Sequence, residues 1–147
     1  MPDSSVNAII HRLYEECLNQ GRLERLSELV NPEVVSHFGS NQVTGFDAFE
    51  QNIRQVRGMF PNGSFTVDDI VSNGDKAAAR WTMTGTHTAP IAGVAPTGKP
   101  ITNRAVVFYR FENGKIAEVW LQVDQVGVLR QVGVEIPGLP APPVPSR

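Results

Sequence analysis

Apolar residues recur near the start of the chain at Val6, Ile9, Ile10, Leu13, Tyr14, Cys17 and Leu18. That is the i, i+3, i+4, i+7 spacing of a helix with one buried face. Asp3, Ser4 or Ser5 can accept hydrogen bonds from its free N-terminal amides, and Gly21 breaks it. Leu23, Leu26, Leu29 and Val30 predict a second, shorter helix that ends before Pro32. Val34 to Phe38 reads as a short extended piece. Thr44, with Asp47 three residues on, predicts a box-like cap for a third helix whose apolar side is Phe46, Phe49, Ile53 and Val56. The run Met59-Phe60-Pro61-Asn62-Gly63 ends it.

From Ser64 the period changes to two. Ser64 to Ser72 leads into Asn73-Gly74-Asp75, a hairpin signal because the tight primed turns need positive φ. Lys76 to Thr88 alternates threonines against Trp81, Met83, Gly85 and His87. A loop from Ala89 to Pro100 with three prolines and two glycines follows, then a strand from Ile101 to Glu112. Asn113-Gly114 turns the chain into an antiparallel strand from Lys115 to Asp124, and Gln125 to Gly133 predicts one short closing helix. Helices first and a meander afterwards predict an α+β fold. Three N-terminal helices would pack on a strongly curved, mainly antiparallel sheet and close it into a cone with an apolar cavity. The expected organisation is one domain over 1–136 and a Pro-rich tail over 137–147, whose five prolines in 11 residues cannot sustain a helix or central strand.

The strand 115–124 divides its side chains most sharply. Trp120, Gln122 and Asp124 share one face, and Val119, Leu121 and Val123 share the other. The first face suggests a pocket wall with a carboxylate at its end. The all-apolar second face suggests an outer surface covered by a second copy of the chain, because an antiparallel sheet otherwise leaves one face wet. Asp124 then has two readings. Burial against Trp120 would poise it as an acid or base, while its position before Gln125 would make it a helix cap.

Composition narrows the classes. With 147 residues, 41% hydrophobic and 19% charged, the chain has the make-up of an ordinary globular domain. A formal net charge of −2 without any basic run argues against nucleic acid as a partner. No apolar run approaches a membrane span, so no membrane association is expected, and the start of the chain is unlike a signal peptide. A cytoplasmic setting is the expectation, with Cys17 alone and reduced. His11, His37 and His87 do not fall at metal-ligand spacing, so no metal is expected. No Gly-x-Ser-x-Gly elbow and no phosphate-binding glycine pattern occurs, so no cofactor is implied.

The segments Arg80 to Thr88, Pro96-Thr97-Gly98-Lys99-Pro100 and Tyr109 to Trp120, with the later Asp124, resemble the SnoaL-like polyketide cyclases. These form a branch of the nuclear-transport-factor-2-like superfamily, and the resemblance runs from about Val6 to Gly133. It implies a cofactor-free cavity enzyme that closes a ring by intramolecular aldol condensation, with an acidic residue on the last strand as acid/base. By position that residue is Asp124, and Tyr14 matches an aromatic position that contacts substrate. Relatives often carry a His where His37 stands, pointing toward the cavity mouth. Two features depart from that pattern: apolar Val119 and Leu121 flank Trp120, and strand 101–112 has no His.

The expected function is therefore a cofactor-independent cyclase or isomerase acting on a polyketide-like or other small apolar carbonyl compound. Asp124, His37 and Arg104 are its candidate catalytic residues. Tyr14, Phe38, Trp81, Met83, His87, Trp120 and Gln122 are its candidate substrate contacts, with His87 read first as a structural turn residue. Either Asn103 or Arg104 must face inward, since neighbours on a strand point to opposite faces. The alternatives are an epoxide hydrolase or dehydratase in the same cavity, and a non-catalytic binding or dimerisation module. A homodimer through the sheet is expected under each.

Overall fold

The computed structural model describes residues 2–140, with side chains from Ser5 onward. Helix α1 (Pro2–Arg12) continues without a break into a π-helical stretch, Leu13–Asn19. Its periodic stripe packs as read: Ile10, Leu13, Tyr14, Cys17 and Leu18 are all buried. The wider π turn is not signalled by the sequence, and it carries Leu13, Tyr14 and Leu18 to the wall of a cavity. The side chains of Asp3 and Ser4, read as caps, lie outside those described. A 3₁₀ turn, Leu23–Arg25, leads into the single-turn helix α2 (Leu26–Leu29).

Strand β1 (Val30–Phe38) begins earlier than the extended piece read from the sequence. It tolerates Pro32 because its parallel pairing with the last strand is irregular between Val30 and Val35, so no ladder donor is needed there. A turn at Gly39-Ser40 returns the chain as β2 (Asn41–Thr44), an edge strand of four exposed residues with no apolar alternation to announce it. The Thr44–Asp47 cap does not form. Helix α3 (Phe46–Met59) is preceded instead by Gly45 at φ 108°, a conformation that only glycine adopts without strain. Phe49 and Ile53 turn inward as the 3.6 period requires.

Strands β3 (Ser64–Asn73), β4 (Lys76–Thr86), β5 (Pro100–Glu112) and β6 (Lys115–Val123) form the meander. The β5–β6 turn is a two-residue Asn113-Gly114 with φ of 51° and 75°, the primed turn that the dipeptide announces. The six strands run in the order β2-β1-β6-β5-β4-β3, antiparallel except where β1 meets β6. Helix α4 (Gln125–Gln131) follows β6 directly. One face of the sheet, with Trp81, Met83, Ala105, Val107, Tyr109 and Val119, holds the core with the helices. The stretch from 137 was expected as a Pro-rich tail, and residues 141–147 of it lie outside those described.

Candidate functional site

The helices and the concave face of the sheet enclose a cavity of about 660 Å³, a size that suits a small organic ligand. Tyr14 and Leu18 come from the π-helical stretch, Phe49, Asn52 and Ile53 from α3, and Val128 and Leu129 from α4. The sheet supplies Trp81, Asn103, Val107, Tyr109, Val119, Leu121 and Val123. Exposed Ser40, Asn41 and Gln125 border it where it opens. Among the described residues, no Asp, Glu, His, Lys or Arg lines it.

Inside this apolar volume lies one strong polar contact. The Tyr14 and Tyr109 hydroxyls are 2.6 Å apart, buried, and contributed by elements 95 residues apart in sequence. The π-helical stretch presents Tyr14, and the odd-numbered inward stripe of β5 presents Tyr109. Burial drives both phenols well above the ordinary value. For Tyr14, hydrogen bonding from Tyr109 offsets part of that rise. Both phenols are therefore neutral donors through the physiological range. Trp81 packs against Tyr14, its ring centre 6.0 Å from that of the phenol. Asn103 is the polar interruption in the inward stripe of β5, and its buried Oδ1 has no protein partner.

The inward and outward faces of β6 are reversed from the expectation. Val119, Leu121 and Val123 line the cavity, and Trp120 is 36% exposed on the outer face. The physical reason is that the cavity wall is itself part of the apolar interior. The continuous apolar stripe is the inside of the cone, and the mixed stripe is its wet outside. Asp124 follows the same correction. It is the N-cap of α4, its carboxylate accepts from the Gly127 backbone N–H at 2.9 Å, and it is exposed. Gln122 is exposed at the rim and borders both the cavity and the outer face.

His37 points away from the cavity. Its Nε2 meets Glu118 Oε2 at 2.7 Å, and its ring stacks on Trp120 at 5.1 Å between centres. Arg110 donates to the other Glu118 oxygen at 3.1 Å, so this carboxylate is held on the outer face. Arg104 is exposed on that face, and Asn103 takes the inward position. Of the expected contacts, Tyr14, Phe38 and Trp81 line the cavity. Met83 is fully buried in the core beside it. His87 is fully buried as well, and its Nδ1 lies 2.8 Å from Thr97 Oγ1 while accepting from the Thr97 N–H at 3.2 Å. It thereby clamps the loop 88–99, which sends Ile91 and Ala92 to the cavity wall.

Sequence reading missed Tyr109 and Asn52 as cavity residues and left Asn103 open against Arg104 for the inward position. The inward stripe of β5 was the available signal: Tyr109 and Asn103 share parity with Ala105 and Val107. Asn52 lies one turn before Val56 on the cavity side of α3 and carries no such signal.

Comparison with known proteins agrees with the architecture. Residues 8–132 match the family model of the SnoaL-like polyketide cyclases. The aklanonic acid methyl ester cyclase AcmA of Streptomyces galilaeus is 26% identical over 130 residues, which cover 86% of this chain and 89% of that one. The crystal structure of IdmH from Streptomyces antibioticus is 33% identical, with a TM-score of 0.75 over 88% of this chain and 99% of that one. A structure from Jannaschia sp. CCS1, 21% identical, shares the fold with a TM-score of 0.82 over 90% of this chain and 94% of that one. Family and relatives support a cyclase role. A cone-shaped α+β domain, its helices closing an apolar cavity against a curved six-stranded sheet, belongs to the SnoaL-like polyketide cyclase family.

Proposed function

We propose that this protein closes a ring in an enolised, polyketide-type carbonyl compound by intramolecular aldol addition, with the Tyr14–Tyr109 hydroxyl pair as proton relay. The observation that carries the reading is that buried pair, 2.6 Å apart, in a cavity wall without a carboxylate. In the reaction the enol carbon bonds to the carbonyl carbon, and the carbonyl π pair moves to its oxygen. The enol oxygen loses its proton as its own C=O forms, and the new alkoxide oxygen gains one. Two hydrogen-bonded phenols can serve both ends, one donating to the developing oxyanion while its partner takes up the enol proton. Their raised pKa values keep both protonated, and donation into a dry site strengthens it. A substrate acidic enough to enolise needs no carboxylate base from the protein. That removes the role first assigned to Asp124. Epoxide hydrolysis and dehydration, which want a carboxylate beside an activated water, have less support in this lining.

Aklanonic acid methyl ester, the compound in the name of a relative, is the first substrate to try. Tyr14→Phe and Tyr109→Phe are each expected to lower kcat about a hundredfold, the scale of losing one oxyanion donor, with little change in ligand affinity. The rate of the native enzyme should be flat between about pH 5 and 8, because no group that titrates there lines the cavity. Unchanged turnover in both phenylalanine variants would overturn the relay.

A further inference from the structure

The inward stripe of β5 reads Ile101, Asn103, Ala105, Val107, Tyr109 and Phe111, apolar or aromatic side chains interrupted by one primary amide. Asparagine is depleted from strands, and an amide carbonyl buried without a partner costs stability. The Asn103 Oδ1 is such an atom, buried and without a protein partner. Its cross-strand neighbour on β4 is Met83, whose side chain has no donor to offer. Among the described residues, the other buried side-chain atoms without a partner belong to Asn7, Ser36, Trp81 and His87. Of these four residues only Trp81 also lines the cavity, and its orphaned group is the indole N–H, a donor where Asn103 supplies an acceptor. Trp81 pairs with Ala105, the next inward residue along β5, so the two groups stand diagonally on adjacent strands, about 7–8 Å apart at the backbone. Ala105 and Val107 separate Asn103 from Tyr109, which places the unpaired amide at the other end of the stripe from the hydroxyl pair.

We infer that Asn103 is a specificity-determining residue of this cavity, its amide carbonyl accepting a hydrogen bond from a substrate hydroxyl remote from the carbons that join. The inference rests on the proposed use of the cavity as the substrate site, and it narrows the substrate class. The molecule is a polycyclic or extended carbonyl compound with its reacting carbonyl at the Tyr14–Tyr109 pair. Its middle is apolar, against Ala105 and Val107, and its far end carries the hydroxyl. The Trp81 N–H donates to a second oxygen of the same molecule. Recognition of this kind discriminates because a ligand without the hydroxyl leaves the buried carbonyl unpaired. A leucine at 103 would cover the same rings and lose the distinction.

Estrone is a rigid fused-ring ketone with a phenol at the end opposite its carbonyl, and 3-deoxyestrone lacks that hydroxyl. Calorimetric titration of the full chain with each compound tests the inference without requiring turnover. The native protein should prefer estrone by about tenfold to a hundredfold, the scale of one buried hydrogen bond. Asn103→Leu keeps the shape of the side chain and removes the acceptor. It should bind the two compounds within about threefold of each other and melt no lower than the native protein, since an orphaned polar atom is gone. Tyr109→Phe controls for orientation and should keep the preference. A native protein that binds both compounds alike, or neither, would overturn the inference. So would a preference that survives Asn103→Leu or disappears in Tyr109→Phe, which would put the hydroxyl at the tyrosine pair instead. Turnover of aklanonic acid methyl ester separates this inference from the relay. Asn103→Leu should raise KM about tenfold and leave kcat within about twofold, whereas the phenylalanine variants lower kcat. A fall in kcat with KM unchanged would count against a binding role for Asn103. Unchanged turnover in Tyr14→Phe and Tyr109→Phe would remove the relay and leave the discrimination by Asn103 standing.

Discussion

The two faces of the sheet are built from the same strands, residue by residue in alternation, and they treat charge in opposite ways. The concave face of β4, β5 and β6 gives the cavity a phenol, an indole and the Asn103 amide. Tyr14 adds a second phenol from the π-helical stretch, and none of the described lining residues is ionised. The convex face spends its polar positions on ion pairs: Glu118 with His37 and Arg110, and Arg80 with Asp69. The difference follows from solvation. A carboxylate in an apolar cavity loses water without gaining a partner, whereas on the outer face water and neighbouring cations both remain. The chemistry open to the cavity is therefore hydrogen-bond chemistry by neutral donors, and the charged residues that sequence reading nominated for catalysis sit outside it, on the solvent-facing side.

The largest test of this contrast moves a charge from one face to the other along a single strand. Val119 is 4% exposed and faces the cavity, so Val119→Asp is expected to cost about 4 kcal/mol or to prevent folding. Gln122→Asp, three residues on at the exposed rim, should stay within about 0.5 kcal/mol. Urea denaturation at one fixed protein concentration measures both. Similar losses at the two positions would mean that the cavity side is wetter, and less selective against charge, than its lining indicates.

A smaller effect separates cap from catalyst at Asp124. The carboxylate accepts from the Gly127 N–H, and removing such a cap costs about 1 kcal/mol. Asp124→Ala should lose that much stability, while Asp124→Asn, an equally good cap, should lose almost none. Neither should change turnover of a true substrate by more than about threefold beyond the loss of folded protein. A large drop in kcat for the stably folded Asn variant would return Asp124 to the chemistry and break the division between the faces.

Much of this was legible in the sequence because the relevant physics is local. The stripe from Val6 to Leu18, the Asn113-Gly114 turn and the alternation of β5 and β6 each follow from side-chain geometry within a few residues, and the structure has them all. The sidedness of β6 was not legible from β6 alone. Alternation separates Val119 from Trp120 but does not say which partner each meets, and a large aromatic beside a carboxylate looks like a pocket. The inside is identified by what covers it: Tyr14 from the π-helical stretch and Phe49 from α3 lie against the Val119 side. Tyr109 illustrates the same limit, since its role depends on a hydroxyl 95 residues away. Strand β2 and the Gly45 cap were missed for a different reason, since four exposed residues and one left-handed glycine carry no hydrophobic pattern.

The smallest prediction concerns the outer face itself. Glu118 is held below its ordinary value of 4.5, first by the hydrogen bond from His37 and then by that from Arg110, with desolvation opposing both. A depressed carboxylate pKa means that the unfolded chain takes up the proton first as the pH falls. The stabilisation is therefore complete above about pH 4.5 and is lost as the pH drops through the folded-state value. Glu118→Gln should cost about 0.5 kcal/mol at neutral pH, as expected for a partly solvated ion pair, and the gap to the native protein should close in acid. Denaturation midpoints of the two proteins, compared across that range, decide it. A gap that persists below the range would mean that Glu118 acts by packing rather than by charge. The size of the effect is the point of the comparison: beside water a carboxylate with two partners contributes a fraction of a kcal/mol, and across the same strand a carboxylate without partners is expected to cost several.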